Sequence, residues 1–129
     1  MAIQAIRGAN DIFHDEAALW QEMEDKARRL IGFYGYKEIR TPLLEDAALF
    51  ERSVGRETDI VEKQMFTFED RGERLVALRP EETASCVRAY LEHSLHKELG
   101  FAKFYYMGPM FRSERPQAGR LRQFHQIGI

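Results

Sequence analysis

Apolar residues recur along this chain with two different periods, and the change of period marks out its elements. Leu19, Trp20, Met23, Ala27, Leu30, Ile31 and Tyr34 return every three or four positions. That spacing predicts an amphipathic helix, capped by Asp15 and closing near Gly32 and Gly35, after a short extended segment (2–7) and a turn (8–11). Residues 37–40 fit a strand that stops at Thr41-Pro42, because a residue before proline is driven out of helical geometry. Residues 46–54 fit a short helix ended by Gly55. Residues 65–69 and 74–78 read as a hairpin around Asp70-Arg71-Gly72-Glu73. Pro80 suits a helix entrance, and Ala84, Val87, Leu91 and Leu95 draw a second helical stripe that ends near Gly100. Residues 103–107 and 110–115 are strand-like, with a break expected at Gly108-Pro109 because proline does not belong inside a central strand. Residues 121–129 are strand-like again.

This order predicts an α+β fold, one domain with a mainly antiparallel sheet flanked by helices. There is no repeat, low-complexity tract or Gly/Ser/Pro linker to divide it. The last strand-like run reaches Ile129 without a turn or polar tail, so a domain cut within its sheet is expected.

Composition changes the picture in a few places. The 129 residues are 44% apolar and 31% charged with a net charge of −2, which fits a globular protein and gives no global pull toward nucleic acid or membrane. Locally the balance shifts: Arg112, Arg115, Arg120 and Arg122 face only Glu114 within residues 112–129, a candidate anion-binding stretch. Cys86 is the one cysteine. It excludes an intrachain disulfide and a multi-cysteine zinc site, and a reducing, cytoplasmic setting is expected. Arg7, Asp11, Asp15 and Glu16 interrupt any signal-peptide core, and no apolar run is long enough to span a membrane.

The chemistry-bearing segment is Met110-Phe-Arg-Ser-Glu-Arg-Pro-Gln-Ala-Gly-Arg-Leu-Arg-Gln-Phe-His-Gln126. Strand alternation puts Gly108, Met110, Arg112 and Glu114 on one face, and Arg122, Phe124, Gln126 and Gly128 on one face of the next strand. If the two faces coincide, they offer a guanidinium, an aromatic plane, an amide and a carboxylate beside a residue without a side chain. Arginine forks a phosphate, phenylalanine stacks a purine, and Gly128 leaves room for close approach. The blander alternative is a solvated hairpin with Phe124 in the core. The second segment, Leu78-Arg-Pro-Glu-Glu-Thr-Ala-Ser-Cys-Val-Arg88, crowds Glu81, Glu82 and Thr83 at a helix start. They serve there either as caps or as a carboxylate and a hydroxyl that hold an ammonium group. Cys86 reads as a small packed residue, His14, His93 and His96 as surface residues, and the stripe of the first helix as core or interface. No metal site is expected.

Taken in this order, the two segments resemble the histidyl-tRNA synthetases, a family of class II aminoacyl-tRNA synthetases. Residues 103–129 look like motif 2 in its histidyl form, and Leu78-Arg-Pro-Glu-Glu-Thr83, within 78–88, resembles the family's amino-acid-binding segment. Ile6-Arg-Gly8 with Asp11, and residues 19–42 ending in Gly35-Tyr-Lys-Glu-Ile-Arg-Thr-Pro42, resemble its N-terminus and dimer-forming motif 1. The resemblance implies histidine activation with ATP and transfer to the acceptor end of tRNA(His) by a homodimer. Arg112 would contact the α-phosphate and the substrate carboxylate, Glu114 the adenine edge, Phe124 the ring and Arg120 the terminal phosphate. Glu81, Thr83 and Gln126 would hold the α-ammonium, and residues 115–119 would approach the tRNA. Mg²⁺ is implied, without ligands in this chain. Glu82 departs from the glycine common at its position. The family's imidazole-reading segment, second catalytic arginine, motif 3 and anticodon-binding domain have no counterpart in these residues, so the chain by itself is expected to be weakly active or inactive. Three rivals remain: the non-catalytic relative that regulates ATP phosphoribosyltransferase in histidine biosynthesis, a plain dimerisation module, and a class II synthetase for another amino acid, against which Gln123-Phe-His-Gln126 stands.

Overall fold

Pairing of β5 (Phe104–Phe111) with β6 (Gln123–Gly128) builds the platform on which the remaining elements are arranged. The computed structural model describes residues 2–55 and 58–129. It carries two three-stranded sheets. β1 (Lys37–Glu38) runs parallel to β5 at the edge of the first, in the order β1-β5-β6. The second, β2-β4-β3, is wholly antiparallel and consists of β2 (Leu44–Asp46), β3 (Thr67–Glu69) and β4 (Leu75–Leu78). The helices are α1 (His14–Phe33), α2 (Ala47–Val54), α3 (Asp59–Lys63), α4 (Thr83–Glu92) and α5 (Leu95–Leu99). The α+β expectation holds, with two small sheets in place of one.

The local signals mostly act as their chemistry requires. Asp46 caps α2 by accepting from Ala48 N at 2.9 Å, and Gly55 ends that helix at φ 97°. Asp70 accepts from the backbone N–H of Gly72 and Arg74 and so shapes the turn between β3 and β4. The core is small: Ala47, Phe50, Ala77 and Ala84 are buried where α2, β4 and α4 meet, with Leu49 and Met65 packed beside them.

Four expectations fail for identifiable reasons. Asp15 does not cap α1; Phe13 is the N-cap residue, and Asp15 and Glu16 occupy the first turn, where their charge still favours the helix dipole. The strand after α1 covers only Lys37 and Glu38, because β5 pairs with it over two residues. The larger members of the stripe on α4 turn outward. Val87 and Leu91 are exposed while the small Ala84, Ser85 and Ala89 are buried, since only small residues fit this close to the core, and the helix breaks at Ser94, which adopts φ 53°. Finally, β5 passes through Gly108-Pro109 unbroken. Arg112 N donates to Arg122 O toward β6, whereas Phe111 N points the other way, to Arg79 O. Pro109, two residues before Phe111, shares that outward orientation, so its missing N–H costs the β5–β6 ladder nothing.

α1 lies along the platform through Trp20, whose ring centroid is 4.5 Å from that of His125. No residue of α1 is buried, and Leu19 (57% exposed), Met23 (50%) and Leu30 (61%) remain open. Trp20, Ala27 and Ile31 of the same stripe are half-buried, so within these residues the stripe is packed on one side and open on the other.

Candidate functional site

The β5–β6 register decides whether the two strand faces coincide. Tyr106 pairs with Gly128, Gly108 with Gln126 and Met110 with Phe124, so residues of the same parity lie side by side on one face. The hairpin continues past the strands, since Arg112 N donates to Arg122 O at 2.9 Å. Segment 79–83 is laced along β5. Arg79 O accepts from Phe111 N at 3.0 Å, Pro80 O accepts from Arg112 Nε at 3.2 Å, and the hydroxyls of Thr83 and Tyr106 lie 3.4 Å apart.

Arg112 is fixed twice. Its guanidinium carbon sits 5.0 Å from the Phe124 ring centroid, and its Nε is spent on Pro80 O. The terminal nitrogens are thereby aimed without being consumed by these contacts. Arg112, Glu114, Arg120 and Phe124 line one open cleft of ≈ 670 Å³, within the usual size range of small-molecule sites. Across its rim Arg120 Nη1 approaches Glu114 at 3.9 Å, and Gly119 turns the hairpin tip at φ 75°.

Glu81 and Thr83 open onto a neighbouring, mainly apolar groove with Leu49, Ile60, Val87 and Leu91. Arg112 lines both cavities, so it stands where they meet. Glu81 acts as the helix cap, since its carboxylate accepts from Thr83 N at 2.6 Å and Ala84 N at 3.1 Å. Gln126, on β6 opposite Gly108, lines neither cavity; its Oε1 is buried and without a hydrogen-bond partner, a group for which a ligand donor would lower the cost of burial.

Glu82 has a structural task. Its carboxylate accepts from Thr41 Oγ1 and pairs with Arg79 at 3.0 Å, the two side chains being 2% and 4% exposed. Arg79 also donates to Thr41 O and Pro109 O. One buried ion pair thus joins the segment between β1 and β2, the start of α4 and the middle of β5.

Two further expectations are corrected here. The space left by Gly128 is filled by Tyr106, because a Cβ at 128 would fall 2.2 Å from the Tyr106 ring. Arg122 does not line the cleft; its guanidinium donates to Arg7 O. Sequence reasoning also missed Ile60 and Gln64, which reach the cleft from α3 and its C-cap, and Tyr106. The parity of Tyr106 with Gly108 was an available signal; nothing local marks Ile60 or Gln64. Burial pushes the Cys86 thiol up to about 11, with the carboxylates of Glu82 and Glu81 adding to the shift, so it stays protonated at neutral pH and is no nucleophile. Among the described residues no group of three or more His, Cys, Asp or Glu side chains is placed to hold a metal ion. Among the described residues no helix is long and apolar enough to cross a membrane.

Comparison with known proteins gives this geometry a setting. A profile of the histidyl-tRNA synthetase family matches residues 8–129. The chain is 57% identical over its whole length to the histidine–tRNA ligase of Halothermothrix orenii, of which it covers 31%, and 60% identical over 98% of its length to that of Geobacter metallireducens, of which it covers 30%. It thus spans about a third of the length of such relatives. Among solved structures it resembles the apo histidyl-tRNA synthetase of S. aureus, with a TM-score of 0.80, 39% identity, and coverage of 98% of this chain and 28% of that one. A Bacillus halodurans protein described as an ATP phosphoribosyltransferase regulatory subunit/histidyl-tRNA synthetase shares the fold at 23% identity, with a TM-score of 0.77 and coverage of 98% and 31%.

Proposed function

The chain belongs to the histidyl-tRNA synthetase family, and on that premise we propose that it forms the ATP-binding part of a cytoplasmic, homodimeric class II ligase that activates histidine and charges tRNA(His). The observation that carries this reading is the place of Arg112, shared by the charged cleft and the groove that Glu81 and Thr83 open onto. A guanidinium at that junction bridges an amino-acid carboxylate to an α-phosphate. When the carboxylate oxygen attacks phosphorus in line, the new oxygen–phosphorus bond forms as the bond to the departing pyrophosphate breaks. Charge spreads over the equatorial oxygens, and Arg112 stabilises it there. Phe124 stacks the adenine, Glu114 accepts from its exocyclic amine, and Arg120 steadies the terminal phosphate. Gln126 and Thr83, with the lone pairs that Glu81 has left, hold the α-ammonium. Residues 115–119 meet the tRNA acceptor end, whose terminal hydroxyl then takes the histidyl group and releases AMP.

The test is histidine-dependent exchange of labelled pyrophosphate into ATP, using a polypeptide of the relatives' length that includes these residues. Exchange should require histidine. Its absence, together with stimulation of an ATP phosphoribosyltransferase, would move the chain to the regulatory reading. The shared fold does not separate the two; the retention of Arg112, Glu114, Arg120, Phe124 and Gln126 favours the ligase.

The exposed apolar stripe of α1 supports the two-fold interface. Light scattering over a concentration series should show a dimer at high micromolar concentration, and Leu19→Glu with Met23→Glu should return it to monomer. A wild-type chain that stays monomeric throughout would remove the motif 1 assignment.

A further inference from the structure

The N-terminal segment has no part in the reading above, although Arg7-Gly8 stood out in the sequence. Ala9 N donates to Ile6 O at 3.0 Å, closing a turn in which Gly8 has φ 88° and Arg7 is not left-handed. That pattern is the type II turn, whose third residue favours glycine. The carbonyl of Gly8 then accepts two backbone N–H groups of the hairpin, from Arg122 at 2.7 Å and Gln123 at 3.0 Å. Arg122 Nη1 reaches Arg7 O at 3.4 Å. The absent side chain matters as well. A Cβ on Gly8 would lie 2.8 Å from Pro116 Cγ and 3.1 Å from Arg122 N.

These contacts hold the point where the loop formed by residues 113–121 re-enters the hairpin, at Arg122 and Gln123, and meet the loop itself at Pro116. The loop's other end is tied by Ser113 N, which donates to Gln64 O at 2.7 Å. The loop is thus suspended between two backbone carbonyls that belong to neither of its strands, with the Glu114–Arg120 approach stretched between them. Residues 2–7 are exposed, so little burial elsewhere accounts for where this arm lies.

We propose that the Arg7–Gly8 turn is a positioning element for the nucleotide: it buckles the 113–121 loop so that Glu114 and Arg120 face the cleft that Arg112 and Phe124 line. This rests on reading that cleft as the ATP site. Without the buckle the hairpin stem survives, because the β5–β6 register is independent of it. The loop then samples orientations in which Glu114 and Arg120 miss their targets, and small misplacements of contacting groups are costly.

The experiment compares Gly8→Ala and a chain lacking residues 2–8 with Gly35→Ala. Gly35 has φ 80° and nothing within 4 Å of a Cβ, so its variant carries the same backbone strain without the loop contact. Three readouts are taken: ATP affinity by calorimetry, amide exchange of residues 113–121, and melting temperature. Gly8→Ala and the deletion should each weaken ATP about tenfold and raise loop exchange by a similar factor. Melting should change no more than in Gly35→Ala, whose ATP affinity should stay within about twofold of wild type. Should Gly8→Ala fail to fold, the deletion decides, since it adds no atoms. Loop exchange and ATP affinity matching Gly35→Ala in both variants would overturn the proposal, as would losses that merely follow melting. If the wild-type chain binds no ATP, the reading of the cleft fails separately, and loop exchange alone still decides the buckle.

Discussion

Arg79→Met should lower the free energy of unfolding by about 3–5 kcal/mol, the usual cost of removing one partner from a buried ion pair. Glu82 is then left with a charge that solvent barely reaches. Its Oε2 already lacks a hydrogen-bond partner, and only Thr41 would remain on Oε1. Arg79 also satisfies the carbonyls of Thr41 and Pro109, so its loss strands acceptors on two other segments. The double variant Arg79→Met with Glu82→Leu should recover much of the loss, because the penalty lies in the orphaned charge and not in the absence of attraction. Urea unfolding followed by the fluorescence of Trp20, the one tryptophan, measures all three. A single variant within about 0.5 kcal/mol of wild type would show that the pair does not hold these segments together.

The second large effect concerns ligand. Arg112→Ala should weaken ATP by about 1.5–3 kcal/mol, roughly ten- to a hundredfold, as expected for a charge-assisted contact to phosphate. Arg71, exposed in the turn of the other hairpin, is the control, and Arg71→Ala should change little. Arg112→Lys should fall between them. An ammonium keeps the charge, but its single nitrogen cannot do what the guanidinium does at once: stack on Phe124, donate from Nε to Pro80 O and turn a fork to the ligand. Titration calorimetry with equal losses for Arg112→Ala and Arg71→Ala would place the phosphate elsewhere.

How much of this was legible beforehand depends on how local its cause was. The hairpin from β3 to β4 and the ends of α2 are written in neighbouring residues, Asp70 and Gly72 for the one and Asp46 and Gly55 for the other. The cleft face was legible for the same reason: alternation needs only a register, and the residues that share parity across β5 and β6 are those that pair. What local reading could not supply was the company each face keeps. Val87 and Leu91 look like core at helical spacing, yet of that stripe only Ala84 packs in the core beside Ala77, and Ser85 and Ala89 are the other buried positions of α4. Glu82 stood out only as a departure from the glycine common at its position; its task is set by Arg79 and Thr41 beside it. Gly128 was rightly read as a demand for space, but that space belongs to Tyr106. Ile60 and Gln64 reach the cleft only because their segment is folded against a hairpin some fifty residues later.

Pro109 has a consequence for what can pair along β5. Along the outer edge of β5, Lys37 N and Ile39 N dock on the carbonyls of Lys103 and Tyr105, and farther on Phe111 N docks on Arg79 O. Between them stands a residue that accepts from Arg79 Nε and has nothing to donate. Neither visiting segment can creep past it, because each further step of the ladder would need the N–H that proline lacks. A single imino acid therefore works as a fence post: it partitions one strand edge into two fixed berths and bars a foreign strand from running the length of both.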